Sequence, residues 1–364
     1  MDGRRGQPER TTRSKKVLFA LLTVLGSLVM FCIGLEIVLR LVGYTPAVVN
    51  PLGNFHQHDP LLGHRGKASF VGRWKRPEFD VMIVHDADGF RAQKETSIKE
   101  KCNHDVFVFG DSFVWGWGVD QGETLTDQMQ TRLPAHCIHN RGINAAGTVM
   151  EYRLFEAEVA PSLKQGDLVL VLFFNNDFGD NINPGAVHGE VEEGVVRIKS
   201  VKPYLTTANG MLENSYAYKF VSYQINLLTL VRKRKQLYPE RDITIAEDDP
   251  RLVVTRHVLH LFKEKAEERQ AQFLAVYIPG QMELQEGDLT NLDKLGNERV
   301  YRRAFFALAE SVGVRTLDLL PAFLQYKKEH SSSRLTFDSD EHWNPLGHRV
   351  AAQAISTQLS ALPQ

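Results

Sequence analysis

Two short segments near opposite ends of the 364-residue chain contain the side chains of a nucleophilic active site. Gly110-Asp111-Ser112 follows an apolar run, so a serine hydroxyl stands at the end of a predicted strand. Asp340 precedes His342 by two residues, and in an extended segment both side chains point the same way. A carboxylate that holds an imidazole in one tautomer lets it take the proton of an attacking serine. Each segment alone has a simpler explanation: helix capping for the first and a surface ion pair for the second.

Two further loops could supply hydrogen-bond donors to an oxyanion. Gly147 lies in the loop after the second predicted strand, and Asn176 lies directly after the third. A glycine N–H and an asparagine amide suit a tetrahedral oxyanion, although both residues are also common in turns. Serine, glycine, asparagine and histidine each follow a successive element of the predicted sheet, and this order favours an active site.

Three more side chains could contact a substrate. Trp115 and Trp117 follow the serine, where an indole could stack on a sugar ring or pack under the loop. Arg141 follows the second predicted strand and could bind an anionic group. His348 lies inside the last predicted helix, so we expect it to be structural. Serine, histidine and a carboxylate complete the chemistry, so neither a metal nor an organic cofactor is expected.

From about residue 103 onward, apolar runs alternate with amphipathic stretches. The predicted strands are Val106–Phe109, Cys137–Asn140, Leu168–Phe174, Phe273–Ile278 and Val314–Leu319. The predicted helices are Glu123–Leu133, Met150–Leu163, Arg251–Arg269, Glu298–Ser311 and Pro345–Leu359, the last capped by Asn344. Strands rich in Val, Leu and Phe that alternate with such helices indicate an α/β fold whose parallel sheet is covered on both faces.

Two intervals depart from this alternation. Residues 43–102 are interpreted as a stem with a small β hairpin, in which Phe79–Val84 is a strand and His85–Gly89 a turn. Residues 183–250 are interpreted as an insertion in the catalytic domain 103–364. The insertion has a turn at Glu190–Glu193, a strand at Val195–Val201 and a helix around Leu212–Lys235. We expect it at the carboxyl edge of the sheet, where open α/β folds bind ligands.

The N-terminus has the pattern of a membrane anchor. Residues 1–16 form a basic tail, and residues 17–42 are predicted to cross a membrane because the uncharged run Val17–Leu35 is roughly 28 Å long as a helix. The alternative is a cleaved signal peptide, but this run is longer than the usual apolar region and no A-x-A-like site follows it. Positive residues favour the cytoplasm, so we expect a cytoplasmic tail and an extracytoplasmic catalytic domain, periplasmic in a Gram-negative bacterium.

The composition excludes several classes of protein. Lys and Arg number 43 against 44 Asp and Glu, a balance that argues against nucleic acid as a partner. Glycine (27) and proline (15) are near average, which excludes collagen-like and largely disordered chains. Three cysteines are too few for a disulfide scaffold. Cys102 and Cys137 lie near the starts of two predicted strands and could form a disulfide or remain buried thiols.

These motifs together resemble those of the SGNH (GDSL-type) hydrolase superfamily. Gly110-Asp111-Ser112 is similar to its first block, Gly147 and Asn176 to the second and third, and His342 to the fifth. The resemblance covers residues 103–362 and implies a three-layer α/β/α, flavodoxin-like fold with a five-stranded parallel sheet. It also implies that Ser112 is the nucleophile, and that the oxyanion hole consists of the Ser112 and Gly147 N–H groups and the Asn176 amide.

One feature departs from the usual pattern of that superfamily. Many of its esterases have an aspartate three residues before the histidine, where this chain has Ser339. Asp340-Glu341-His342-Trp343 looks more like the Asp-x-His-Trp block of SGNH-like polysaccharide O-acetyltransferases. Asp340 is therefore the expected orienting acid, and Asp338 is the reserve.

We expect a membrane-anchored serine esterase that acts on O-acyl, in particular O-acetyl, esters of carbohydrate. The alternatives are an O-acetyltransferase of an extracellular or cell-envelope polysaccharide, and a non-catalytic envelope module that binds a glycan or a partner protein. The expected partners are an acylated carbohydrate or other ester and the membrane. The sequence does not identify any partner in polysaccharide modification.

Overall fold

The computed structural model describes residues 9–42, 55–94, 102–200, 215–218, 220–221, 224, 248–286, 296–338 and 340–361. The helices and strands of these residues, in chain order, are α1 (Glu9–Leu41), β1 (His56–Asp59), β2 (Gly63–Gly66), β3 (Val71–Arg76), β4 (Phe79–Val84), β5 (His104–Gly110), α2 (Ser112–Trp115), α3 (Leu125–Arg132), β6 (His136–Gly142), α4 (Thr148–Leu154), β7 (Leu168–Phe173), α5 (Asp177–Asp180), β8 (His188–Glu192), β9 (Val195–Lys199), α6 (Pro250–Glu267), β10 (Gln272–Tyr277), α7 (Gln281–Glu286), α8 (Gly296–Ser311), β11 (Thr316–Asp318), α9 (Leu320–Glu329) and α10 (Pro345–Ser360).

Five of these strands form one parallel sheet in the order β11-β10-β7-β5-β6. All five coincide with predicted strands, so the expected five-stranded parallel sheet is confirmed. Numbered by their order in the chain and read across the sheet from β6 to β11, the strands lie in the order 2-1-3-4-5. The direction in which the chain winds across the sheet reverses between β5 and β7. The carboxyl ends of these two strands therefore flank the crevice where doubly wound folds bind ligands.

Each face of the sheet is covered by helices, which confirms the three-layer α/β/α arrangement. Side chains alternate between the two faces most clearly on the central strand β7. Every residue of this strand is buried, and successive side chains point into the cores on opposite faces of the sheet. Val169, Val171 and Phe173 face Val258 and Phe262 of α6 and Phe305 of α8. Leu168, Leu170 and Leu172 face Met129 of α3, Phe323 of α9 and Ile355 of α10.

The structure corrects the predicted boundaries at two places. The predicted turn at Glu190–Glu193 is wrong, because β8 extends to Glu192 and the turn is Glu193-Gly194. Both residues of this turn have positive φ (51° and 79°), as a tight two-residue hairpin requires. The single predicted helix Met150–Leu163 is instead α4 followed by a π turn and a short 3₁₀ turn. Most of the predicted helix around Leu212–Lys235 lies outside the described residues.

The part of the predicted stem that the structure describes forms two hairpins, β1–β2 and β3–β4, in the same compact unit as the sheet. The predicted strand Phe79–Val84 is present as β4. Its partner β3 was not predicted, because Trp74 is the one buried side chain in a strand of exposed and half-buried residues. The two strands connect at residues 77–78, so His85–Gly89 is not the turn of this hairpin.

Helix α1 and the short segment from Ser215 belong to a second compact unit. Residues Lys15–Leu41 are long and apolar enough to cross a membrane, and their side chains are almost entirely exposed. Near the end of this helix, the Glu36 carboxylate accepts hydrogen bonds from Ser215 Oγ (2.9 Å) and from the backbone N–H of Ala217 (2.8 Å). Part of the insertion therefore contacts the apolar helix directly.

Cys102 and Cys137 form a disulfide, with 5.5 Å between their Cα atoms. Because β5 and β6 are parallel neighbours with Asp105 opposite Cys137, the cysteine ahead of β5 is brought next to the first residues of β6. Of the two possibilities for this pair, the disulfide is confirmed. Cys32, in α1, is free.

Loss of this disulfide is expected to lower the stability of the catalytic unit. The bond closes a loop of 35 residues, for which chain entropy predicts about 3–4 kcal/mol. The full chain in detergent micelles, unfolded by urea with and without reductant, should show a lower midpoint when reduced. A Cys102→Ser/Cys137→Ser double variant should match the reduced protein, and Cys32→Ser should match the oxidised one. Equal midpoints in all samples would contradict this prediction.

Candidate active site

Ser112 is positioned by the turn between β5 and the short helix α2. The preceding Asp111 caps this helix, because its carboxylate accepts the backbone N–H of Phe113 at 2.9 Å. Ser112 is the first helical residue, and its N–H therefore has no acceptor within the helix. At the end of β6, an added Cβ on Gly142 would lie 2.3 Å from the backbone N of Trp115, so the absence of a side chain there allows α2 to pack directly on the strand.

His342 is positioned by the start of the last helix. The Asn344 side chain accepts the N–H groups of Leu346 and Gly347, and Pro345 occupies the first turn, as the sequence predicts. Trp343 is fully buried in the core beside α9 and α10. Because successive side chains of an extended segment point in opposite directions, burial of Trp343 directs His342 toward the carboxyl edge of the sheet.

The structure brings Ser112, His342 and Asp340 together in one hydrogen-bonded series. The distance from Ser112 Oγ to His342 Nε2 is 2.6 Å, across a sequence separation of 230. The other ring nitrogen, Nδ1, hydrogen-bonds to Asp340 Oδ1, which also accepts the backbone N–H of His342 at 3.0 Å. Nε2 of this tautomer is free to accept the serine proton.

Asp340, and not Asp338, contacts the imidazole. Asp338 is exposed and forms an ion pair with Arg334. Burial acts to raise the pKa of Asp340, but the hydrogen bonds from His342 outweigh it and hold this pKa below the usual value. Asp340 is therefore ionised at neutral pH, the state that orients and stabilises a protonated imidazole.

Gly147 and Asn176 both lie next to Asp180. Asn176 Nδ2 donates to Asp180 Oδ2 at 3.0 Å and lies 3.5 Å from Asp111 Oδ2, so the loops after β5 and β7 meet. An added Cβ on Gly147 would lie 2.9 Å from the Asp180 Cβ, and Gly147 immediately precedes α4. An asparagine amide has two N–H groups: one donates to Asp180, and the other, at the longer distance of 3.5 Å from Asp111, is the one that a ligand would take.

The other predicted substrate contacts have different surroundings. Trp115 is 1% exposed and packs against His56 and Trp74, which corresponds to packing under the loop rather than to stacking on a sugar. Trp117 is 7% exposed and also lies within the protein. The Arg141 guanidinium lies over the Phe90 ring, 4.5 Å from its centroid, and its described contacts do not include the catalytic side chains. His348 is buried against Trp343, as expected for a structural residue, and burial lowers its pKa to about 3.

Buried and half-buried carboxyls that the sequence did not indicate lie around the predicted oxyanion donors. The group comprises Asp111, Glu151, Asp177 and Asp180. Burial raises the pKa of all four, and neighbouring carboxylates raise it further for the last three, to about 7 for Asp180. Neither carboxyl oxygen of Glu151 has a hydrogen-bond partner among the described residues. Neutral carboxyls suit this location, because negative charge would oppose the formation of an oxyanion beside Asn176.

Comparison with known proteins identifies a family for this chain. The model of the GDSL-like lipase/acylhydrolase family matches residues 108–350. No curated protein matches the sequence. Among solved structures, a lipolytic G-D-S-L protein from Veillonella parvula is 12% identical, with 71% of this chain and 100% of that chain covered and a TM-score of 0.41. The acetyl xylan esterase AlAXEase is 15% identical (71% and 100% covered, TM-score 0.40). The enzyme LAE5 from the Lake Arreo metagenome is 14% identical (72% and 98%, TM-score 0.42).

The family match extends over more than half of the chain and includes Ser112, His342 and the two loops that are predicted to supply oxyanion donors. It places the protein among the enzymes that hydrolyse ester bonds. The chain belongs to the GDSL-like lipase/acylhydrolase family.

Ionisation of Asp180 is expected to lower activity above neutral pH. Its pKa of about 7 leaves the carboxyl neutral at lower pH, and charge appears beside Asn176 as the pH rises through this value. We predict that kcat/KM for a soluble acetyl ester falls about tenfold with this ionisation. Asp180→Asn keeps a hydrogen-bond acceptor for Asn176 without the charge, and it should keep its activity to higher pH.

The matched control is Asp338→Asn, which removes an exposed carboxyl that does not contact the site. This variant should retain the alkaline decline of the wild type. If all three proteins lose activity over the same pH range, or if none does, Asp180 does not control the oxyanion donors.

Proposed function

We propose that this protein is a membrane-anchored serine esterase that removes O-acyl groups, in particular O-acetyl groups, from carbohydrate through an acyl-enzyme. The observation that carries the proposal is the 2.6 Å contact between Ser112 Oγ and His342 Nε2, with Asp340 bound to the opposite ring nitrogen. A nucleophile, a base and an orienting acid in this sequence of contacts can transfer an acyl group to serine.

In the first half of the reaction, Ser112 Oγ attacks the carbonyl carbon of the ester and His342 Nε2 takes the hydroxyl proton. Asp340 stabilises the imidazolium that forms. The N–H groups of Ser112 and Gly147 and the amide of Asn176 bind the oxyanion of the tetrahedral intermediate. His342 then protonates the departing alcohol oxygen, which leaves the acyl group on Ser112.

In the second half, the acceptor determines the reaction. Water gives a proton to His342 and attacks the acyl carbon. The bond from this carbon to Ser112 Oγ then breaks, His342 returns the proton to Oγ, and a carboxylic acid is released, which is hydrolysis. A sugar hydroxyl in the same place would accept the acyl group, which is transfer. The Asp340-Glu341-His342-Trp343 block favours this alternative by its resemblance to O-acetyltransferases. The burial of Trp343, however, accounts for the tryptophan of this block by packing alone.

The membrane part of the proposal is that α1 anchors the catalytic unit outside the cytoplasm. The basic residues of segment 1–16, which precede the apolar run of α1, favour a cytoplasmic N-terminus. The disulfide Cys102–Cys137 supports the same placement, because disulfides persist in oxidising compartments such as the periplasm. Both the esterase and the transferase would then act on envelope or extracellular carbohydrate.

A fluorophosphonate probe, which reacts with activated serines, separates an enzyme from a binding module. We predict that the full chain in detergent micelles is labelled on Ser112. Ser112→Ala should abolish labelling and lower ester hydrolysis by 10³-fold or more. Ser162→Ala, which removes an exposed serine, is the matched control and should be labelled like the wild type. A folded wild type that takes up no label would favour the non-catalytic binding module.

The products from an acetyl donor distinguish hydrolysis from transfer. We predict that the full chain releases free acetate at the same rate with and without oligosaccharide acceptors, because water is the proposed acceptor. Ser112→Ala controls for spontaneous hydrolysis. Acetylated oligosaccharide formed at the expense of acetate would instead identify an O-acetyltransferase.

A further inference from the structure

The indole of Trp117 contacts both His342 and Asp340. Its ring is stacked on the imidazole, with 4.6 Å between the ring centroids and 16° between the planes. Its Nε1 donates to Asp340 Oδ2 at 3.0 Å. The two carboxylate oxygens of Asp340 thus have different partners, because Oδ1 binds the histidine and Oδ2 binds the indole. Rotation of this carboxylate would break both contacts.

The imidazole contacts two aromatic rings. Phe113 contacts it with 5.0 Å between the centroids and 34° between the planes, in addition to the stacked indole of Trp117. When His342 takes the serine proton, the resulting cation lies against the face of the indole, which attracts positive charge. This contact strengthens as the proton moves and thus favours the transition state over the resting enzyme.

Trp117 is held in turn by the β3–β4 hairpin. Trp74 of β3 packs edge-to-face on the indole, with centroids 4.6 Å apart and planes at 86°, and the Arg76 guanidinium lies 5.1 Å from the indole centroid. The same hairpin contacts the histidine loop, because Phe79 packs against Phe337 at 5.4 Å and Glu78 accepts the backbone N–H of Asp338. The hairpin therefore bridges the segment after the nucleophile and the segment before the base.

We propose that Trp117 is a positioning residue for Asp340 and His342. The β3–β4 hairpin contributes to the active site in turn, because its contacts hold this indole in place. The proposal rests on the esterase function and extends it. Residues 71–84 lie outside the matched family region 108–350, so the family match does not assign them a role.

Two substitutions separate the two contacts of the indole. Trp117→Phe keeps an aromatic ring against His342 but has no N–H for Asp340, and Trp117→Leu loses both contacts. We expect kcat for an acetyl ester to fall about tenfold in Trp117→Phe and about a hundredfold in Trp117→Leu. KM should stay within about twofold of the wild-type value, because the indole is not proposed to touch the substrate.

The pH profile provides a readout that a purely structural role would not move. The acidic limb of kcat/KM should lie at lower pH in Trp117→Leu than in Trp117→Phe, because only the leucine variant removes one of the two aromatic rings that contact the protonated imidazole. Trp74→Leu tests the hairpin. It should lower kcat toward the value of Trp117→Phe and leave KM unchanged.

The matched control is Trp115→Phe, a variant of the other tryptophan of the same loop. Trp115 is also buried, contacts neither His342 nor Asp340 among the described residues, and its Nε1 has no partner there. All variants are compared as full chains in detergent micelles, and their urea midpoints show whether each is folded. The conservative Trp117→Phe keeps the test decisive if the leucine variants unfold.

An active wild type whose kcat and pH profile are unchanged in Trp117→Phe would overturn this inference alone. Equal losses of kcat in Trp117→Phe and Trp115→Phe would overturn it as well, because they would show a general packing effect. A wild type that is neither labelled by fluorophosphonate nor active would overturn the proposed esterase function, and this inference with it.

Discussion

The buried contact between Phe113 and Trp343 is the packing interaction on which the site depends. Their rings lie 4.9 Å apart at 69° in the core on one side of the sheet. Phe113 directly follows Ser112, and Trp343 directly follows His342. Two apolar residues that must be buried together thus bring their polar neighbours within hydrogen-bond distance. Hydrophobic burial of Phe113 and Trp343 therefore stabilises the hydrogen bond between Ser112 and His342, because burial contributes more free energy than one hydrogen bond does.

The charge distribution follows from the same arrangement. Asp340 is kept ionised by hydrogen bonds on the side of His342 where positive charge forms. Burial and mutual repulsion favour the neutral forms of Glu151, Asp177 and Asp180 on the side where negative charge forms. Carboxyl groups in one small region therefore have opposite protonation states, and each state matches the charge that the reaction would create beside it.

Much of the fold and part of the site could be predicted from the sequence. The sheet strands were predictable because buried parallel strands are continuous apolar runs, and the start of α10 because Asn344 and Pro345 have specific helix-start geometry. Glu151 could not be recognised, because an acidic residue in the first turn of a helix is ordinarily exposed. The role proposed for Trp117 was also beyond prediction, since it depends on Trp74 and Asp340, which are distant in the chain and join it only in the folded protein.

In the proposed reaction, Ser112 becomes acylated while Asp340 and His342 assist. The most direct measurement is intact-protein and peptide mass spectrometry of the full chain, quenched in acid during turnover of an acetyl ester. We predict one added acetyl group on the peptide that contains Ser112. Turnover by an enzyme that is acetylated at another residue, or never on Ser112, would contradict the account.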